Sequence, residues 1–237
     1  MPGTALVIMT RYPEKGKIKT RLASSIGAEE THQLYQAFLT DLAARFNHGD
    51  HALYWAYTPP ESDFKTALAS FLPPRRVAPL EGARGAEEGV GHCLPQQGGE
   101  LGERLHNVFL ALAKQYQQII VIASDSPHIS LGVIAESQQA LQSADVVLGP
   151  ADDGGYYLIA MREPHDVFSG IPMSTSMVLY QTIESCRRQS LVVQLLEPLF
   201  DIDELSDLQR LADLLQHNPT LAPTTAACIS TIMKEFV

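Results

Sequence analysis

Cysteine is scarce in this chain of 237 residues, and long apolar runs are missing altogether. The three cysteines, Cys93, Cys186 and Cys228, lie far apart and without metal-ligand spacing. An odd, scattered set argues against a disulfide framework and fits a reducing compartment. No apolar stretch approaches the length of a membrane span. The first one, Ala5 to Met9, is too short for a signal peptide, and no charged segment precedes it. Together these absences predict a soluble, cytoplasmic protein. Positive charge is also in the minority, with 17 Lys and Arg against 27 Asp and Glu and a formal net charge of −10. That balance disfavours nucleic acid or an anionic membrane as a partner. It also makes any local basic cluster informative, because such a cluster runs against the overall field.

Several familiar signatures are absent as well. The eight histidines show no ligand spacing. There is no P-loop, no Gly-X-Ser-X-Gly elbow, and no G-x-G-x-x-G after the first strand, which argues against a kinase, a serine hydrolase and a Rossmann dehydrogenase. The chain has no internal repeat and no low-complexity linker.

What is present is an ordinary globular composition, 45% hydrophobic, in a chain long enough for a sizeable core. The run Ile119-Ile-Val-Ile-Ala123, closed by Ser124-Asp-Ser-Pro127, reads as a central strand buried on both faces. Ala5 to Met9, Ala52 to Tyr57, Asp145 to Gly149, Tyr156 to Met161 and Leu191 to Leu195 read as further strands. Helices are predicted from about Ala28, where Leu34, Phe38, Leu42 and Phe46 recur every four residues, and over Glu61–Phe71. Others are predicted from Leu101, over Leu131–Gln142 and Thr175–Arg188, and from about Leu205, with a peripheral helix after Pro219. Between Arg75 and Gly99 the pattern weakens to a long loop in which only Arg75 to Pro79 has strand character. Strands alternate with helices along most of the length, so the expected class is α/β with a largely parallel sheet, in one domain over 1–237.

Five segments could carry chemistry. Asp125 stands just past the carboxyl end of the central strand, the edge outside which ligands bind in open α/β sheets. There it could hold a hard cation, or simply open a turn or cap the next helix. Thr10 to Leu22 carries Arg11, Lys15, Lys17, Lys19 and Arg21 between a strand and a helix, which suits a polyphosphate or a plain solvated loop. Gln97-Gly-Gly-Glu-Leu-Gly102 places glycines at a helix start, where a flat ligand can approach, or where a turn is needed. Asp152-Asp153-Gly154-Gly155 is a tight turn presenting acids to a cleft, or a plain hairpin. Tyr156 and Tyr157 follow on opposite faces of a strand, so that at most one reaches the site. Asp201 and Asp203, one residue apart on a strand, share a face and could complete metal coordination, although Asp203 could equally cap the last helix.

As an ordered set, these motifs resemble one family. The carriers are Lys15-Gly-Lys-Ile-Lys-Thr-Arg-Leu22, Gln97-x3-Leu-Gly-Glu-Arg104, Ser124-Asp-Ser-Pro127, Gly149-Pro-x2-Asp-Gly-Gly-Tyr156 and Asp201-Ile-Asp203. The chain resembles the bacterial glycosyltransferase-A-like proteins (DUF2064) related to the guanylyltransferase that activates 2-phospholactate in coenzyme F420 synthesis. The resemblance implies the single-domain nucleotide-diphospho-sugar transferase fold (GT-A, Rossmann-like), a mixed sheet flanked by helices. It implies that Lys19 and Arg21 act on the nucleotide phosphates and that Asp125, joined by Asp203, binds Mg²⁺ or Mn²⁺. Arg11, Thr20, Gln97, Leu101, Gly102 and Ser124 would complete the nucleotide contacts, with Asp153, Gly154 and Gly155 at the acceptor. Pro172-Met-Ser-Thr-Ser176 lacks the Trp and Asp of the family's Pro-Trp-x-Thr-Asp stretch, and Glu100 stands where Asp is expected. The expected activity is metal-dependent transfer of a nucleotidyl group from an NTP to a phosphorylated small-molecule acceptor. Glycosyl transfer from a nucleotide sugar is the alternative, and a non-catalytic nucleotide-binding module is a third.

Overall fold

Residues 3–72 and 91–235 are described by the computed structural model. A central strand β1 (Thr4–Arg11) is followed by a short helix α1 (Thr20–Ile26) and a long one, α2 (Ala28–Phe46). Next come β2 (His51–Thr58), α3 (Phe64–Phe71), β3 (His92–Pro95), α4 (Leu101–Leu112) and β4 (Gln118–Ala123). The second half runs α5 (Leu131–Ala140), β5 (Val146–Pro150), β6 (Tyr156–Met161), α6 (Val178–Arg188) and β7 (Val193–Leu195), then α7 (Leu205–His217) and α8 (Pro223–Glu235).

The seven strands form one sheet in the order β3-β2-β1-β4-β6-β5-β7. β1 pairs in parallel with both β2 and β4, and only β6 runs against its neighbours. Because helices cover both faces, side chains of either parity are buried. Leu6, Ile8, Ile120 and Ile122 enter one apolar cluster; Ala5, Val7, Ile119 and Val121 enter the other. This is why β1 and β4 read as unbroken apolar runs rather than alternating ones. Each such buried Ile or Leu contributes about 1.5–3 kcal/mol. On α2, Leu34, Phe38, Leu42 and Phe46 are all fully buried in the first cluster, as four-residue spacing on one helical face requires.

The chain leaves β1 toward β2 on one side and later returns to place β4 on the other. The sheet therefore changes direction between β1 and β4, and a crevice opens at their carboxyl ends. The loops carrying Lys19 and Asp125 both start there.

Some expectations need correction. The weak region contains β3, four residues paired in parallel with β2, too short to leave a periodic signal. The strand expected over Arg75–Pro79 lies outside the described residues. The basic loop contains α1 from Thr20 onward, and α6 begins at Val178 rather than Thr175. No described helix is long and apolar enough to cross a membrane.

Candidate functional site

The loop after β4 is built as a rigid ledge. The Ser124 amide donates to the Met9 carbonyl at 3.1 Å, extending the β1–β4 pairing by one residue. The Ser124 hydroxyl lies 3.1 Å from the Tyr35 hydroxyl, which is 2.9 Å from Thr10 Oγ1 and accepts from the Arg11 amide. Ser124 is thus tied into a buried network while also lining the smaller of the two cavities described below. Farther along, Arg45 Nη1 donates to the carbonyls of Pro127 and Ile129 at 2.6 and 2.7 Å. Ser130, and not Asp125, caps α5 by accepting from the Val133 amide. Asp125 is therefore free of that role.

A second segment is stitched to this ledge. The Ile202 amide donates to the Asp125 carbonyl at 3.1 Å, and the Ser126 hydroxyl donates to Asp201 Oδ1 at 2.7 Å. Residues 201–203 are irregular rather than a strand: the Ile202 amide goes to Asp125, its carbonyl accepts from Lys19, and the Asp203 amide donates to Asp207 Oδ2. Asp201 and Asp203 reach the crevice all the same. The cap of α7 is Glu204, reciprocally bonded with Asp207, not Asp203. Burial pushes the Asp201 carboxyl up to about 6, opposed by the Ser126 hydrogen bond and reinforced by the charges of Asp125 and Asp153.

Lys19 joins the two loops. Its backbone is left-handed, with φ 42°, and its side chain turns inward until only 5% is exposed. The ammonium sits 2.9 Å from Asp125 Oδ1 and 3.2 Å from Asp203 Oδ1, and donates to the Ile202 carbonyl. Burial draws the Lys19 ammonium down, but the two carboxylates outweigh it and hold its pKa above the usual lysine value. Arg21, in the first turn of α1, is 75% exposed with its guanidinium 3.7 Å from Glu204 Oε1.

Two cavities open on either side of this cluster. Both are lined by Met9, Leu101, Ala123, Asp125 and Asp203. The smaller, about 330 Å³, adds Arg11, Lys19, Thr58, Gln96 and Arg104. The larger, about 500 Å³, adds Arg21, Asp153, Gly155, Asp201 and the hydroxyls of residues 174–176 over an apolar floor. Thr20, Gln97 and Gly102 line neither one. Gln97 is exposed and its carbonyl accepts from Asn107 Nδ2. Its neighbour Gln96 is buried instead, donating to the carbonyls of Ala56 and Thr10 at 2.7 and 3.3 Å. Gly102 is a packing residue: a Cβ there would stand 3.2 Å from Phe168 Cβ. Asp153 and Gly155 do reach the larger cavity, and Tyr156 and Tyr157 both contribute to its lining. Asp152 turns away to pair with Arg210.

Sequence reasoning passed over Arg104 as an individual residue. Its Nε is buried without a hydrogen-bond partner among the described residues, and Nη1 is 3.5 Å from Thr58 Oγ1. Burial, then the nearby charge of Arg11, draws the guanidinium below its ordinary pKa, and Glu100 only partly opposes this. A desolvated guanidinium short of partners suits an anion.

This architecture matches known structures. A candidate nucleotide-diphospho-sugar transferase from Desulfovibrio desulfuricans G20 superimposes with a TM-score of 0.85 at 28% identity, covering 100% of this chain and 99% of that one. The fold is the nucleotide-diphospho-sugar transferase fold. More distant structures share this transferase fold. They include 4-diphosphocytidyl-2C-methyl-D-erythritol synthase from Anaerococcus prevotii DSM 20548, with a TM-score of 0.55, 10% identity and coverage of 90% and 98%. CMP:2-keto-3-deoxy-manno-octonic acid synthetase complexed with CTP gives 0.50, 14% identity and coverage of 91% and 99%. Residues 67–175 match the family described as an uncharacterized protein conserved in bacteria, DUF2064. No curated protein matches the chain in sequence.

Among the described residues no group of three or more His, Cys, Asp or Glu is arranged to hold a metal. Two carboxylates do face one cation, and Asp125 and Asp203 are 40% and 51% exposed. Mg²⁺ commonly takes one or two protein carboxylates and fills its remaining positions with water and substrate phosphate. The pair supplies that number of carboxylates, each with its Oδ1 already on the Lys19 ammonium.

Proposed function

We propose that the protein is a transferase moving a nucleotidyl group from an NTP to a small-molecule acceptor. The observation that carries this reading is the Asp125–Lys19–Asp203 cluster standing between two cavities, one of them lined by arginines. The donor's phosphates belong in the smaller cavity, against Arg11 and Arg104, where a polyanion meets a guanidinium whose buried Nε has no hydrogen-bond partner among the described residues. The acceptor belongs in the larger cavity, beside Asp153 and Gly155.

The acceptor's oxygen forms a bond to the α-phosphorus while the bond to pyrophosphate breaks. Such chemistry asks for alignment and charge neutralisation more than for a protein nucleophile. Mg²⁺ or Mn²⁺ held by Asp125 and Asp203 would neutralise phosphate charge at the junction. Lys19, bonded to both carboxylates and to the Ile202 carbonyl, keeps the two loops at a fixed separation. That is a different part from the direct phosphate contact expected from its sequence. Arg21 stands exposed in the lining of the larger cavity, on the acceptor's side of the junction.

Pyrophosphate release from each NTP in the presence of Mg²⁺ and an acceptor pool tests the reading. Asp125→Asn is expected to lower kcat by about 10²–10³-fold, the usual size for losing one group that stabilises transition-state charge. Glycosyl transfer is the second reading, favoured by the likeness to the Desulfovibrio protein. It predicts tighter binding of nucleotide sugars than of triphosphates, and that result in a titration would displace nucleotidyl transfer.

A further inference from the structure

Beyond the pair at the junction, the larger cavity offers a phosphorylated acceptor two carboxylates, Asp153 and Asp201, and one exposed guanidinium, Arg21. We infer that the acceptor is instead a hydroxyl compound carrying an ammonium group, an amino alcohol or amino sugar in chemical class. The inference rests on the transfer reading above and deepens it.

Four carboxylates line that cavity, those of Asp125, Asp153, Asp201 and Asp203, and Arg21 is the one basic residue among its lining. The Arg21 guanidinium is mostly in solvent and already lies near Glu204. With Asp125 and Asp203 committed to the junction, Asp153 and Asp201 still face the acceptor's side. Each spends one oxygen locally: Asp153 Oδ1 accepts from the Gly155 amide at 2.8 Å, and Asp201 Oδ1 from Ser126. An ionised carboxylate offers about four lone-pair sites on two oxygens, so both retain capacity toward a ligand donor. A phosphate placed here meets like charge on two sides, whereas an ammonium meets opposite charge and good acceptors.

The remaining lining fits the same class. Ser174, Thr175 and Ser176 supply hydroxyls along one wall, and Leu105, Val121 and Ile159 supply an apolar floor for a carbon skeleton. The smaller cavity is the contrast. It gathers Arg11 and Arg104, beside a Lys19 already paired with Asp125 and Asp203, and on the transfer reading phosphate belongs there, on the donor's side. In the transfer, the acceptor's hydroxyl oxygen bonds to the α-phosphorus, the bond to pyrophosphate breaks, and the hydroxyl proton passes to water. The ammonium keeps its charge and orients the acceptor against Asp153.

The test uses the full chain with Mg²⁺. Donor affinity is first titrated calorimetrically with each NTP and no acceptor, and failure to bind any of them overturns the transfer reading and this inference together. Pyrophosphate release is then followed with serinol and glucosamine against glycerol 3-phosphate and glucose 6-phosphate. The amines are expected to accelerate release at least about 10-fold, and Asp153→Asn to raise their KM about 10-fold while Asp153→Glu restores it. Donor Kd, titrated alone, should stay within about twofold in both variants. Acceleration by the phosphorylated pair, or by neither pair, with donor binding intact, overturns the inference and leaves the transfer reading standing.

Discussion

The two cavities share the wall formed by Asp125, Asp203 and Leu101 and differ in almost everything else. The smaller one sits over β1 and β2, and its lining is locked by buried polar bonds. Tyr35 ties Thr10 to Ser124, and Gln96 ties the ends of β1 and β2. The larger one sits over β4 and the antiparallel β6, and its outer wall is a glycine turn resting on the exposed segment 174–177. A rigid cationic half beside a looser acidic half is what a donor common to many reactions and a specific acceptor would demand. The reversal of strand order at the parallel pair β1 and β4 makes the shared wall. The unshared walls come from different helices and turns, and these can change independently.

The largest effect should come from something that damages both halves at once. His128 lies three residues beyond Asp125, 5% exposed, with its ring 4.4 Å from that of Phe200. Neither ring nitrogen has a hydrogen-bond partner among the described residues. Burial, with the charges of Arg45 and Arg210, depresses its pKa from 6.5 to about 4. The neutral ring is the folded form. The associated stability is fully present above pH 6.5 and is lost as pH falls toward 4, approaching about 3 kcal/mol. Denaturant midpoints at pH 7.5 and 4.5 should show this loss in the wild type and a much smaller one in His128→Leu. Donor and acceptor binding should fall together in the wild type at low pH. Equal pH slopes in the two proteins would remove His128 from the account.

A smaller effect should touch the acidic half alone. Gly154 has φ +89°, and a Cβ there would come within 2.1 Å of the Ser176 carbonyl oxygen. The Gly154 carbonyl also accepts from the Leu179 amide at 2.9 Å, so the turn and the start of α6 move as a unit. Gly154→Ala adds backbone strain to a clash that only a main-chain shift relieves, and is expected to cost about 2 kcal/mol. Acceptor KM should rise several-fold while donor Kd holds. Gly170→Ala is the control, since φ there is +78° but nothing lies within 4 Å. It should lose about 1 kcal/mol from strain alone and leave the acceptor untouched. Similar acceptor effects from the two variants would mean that the turn does not shape the cavity.

How much of this was legible beforehand follows from range. β1, β4 and α2 announced themselves because burial on both faces, or on one helical face, writes a local period. Asp125 was legible for a related reason: a strand end followed by turn residues marks a sheet edge. Lys19 was visible as a charge, but its partners stand 106 and 184 residues farther on, and no local pattern shows that its ammonium is enclosed by carboxylates rather than exposed to phosphate. Gln96, which no sequence pattern singled out, turns inward just after β3, a four-residue strand too short to be recognised. The Asp201–Asp203 spacing suggested a strand, yet both acids reach the crevice from an irregular segment. The Glu204–Asp207 pair that caps α7 was a local signal of the kind that can be read directly.

The effect expected to cost the fold least belongs to Arg104 and sharpens the contrast from the cationic side. Replacing it with Gln removes a charge that faces Arg11 and a buried Nε without a partner among the described residues, so folding stability should hold or rise slightly. Donor Kd should weaken by about 10-fold, equivalent to about 1.4 kcal/mol for one lost charge-assisted contact. Its dependence on salt should also become shallower, because one fewer cation faces the phosphates. Acceptor KM should not move. The two halves are thus separable in opposite senses, Gly154→Ala raising acceptor KM at constant donor affinity and Arg104→Gln doing the reverse. If Arg104→Gln instead left donor titrations unchanged and altered acceptor kinetics, the assignment of the cavities would have to be exchanged, and phosphate would then have to bind among the aspartates.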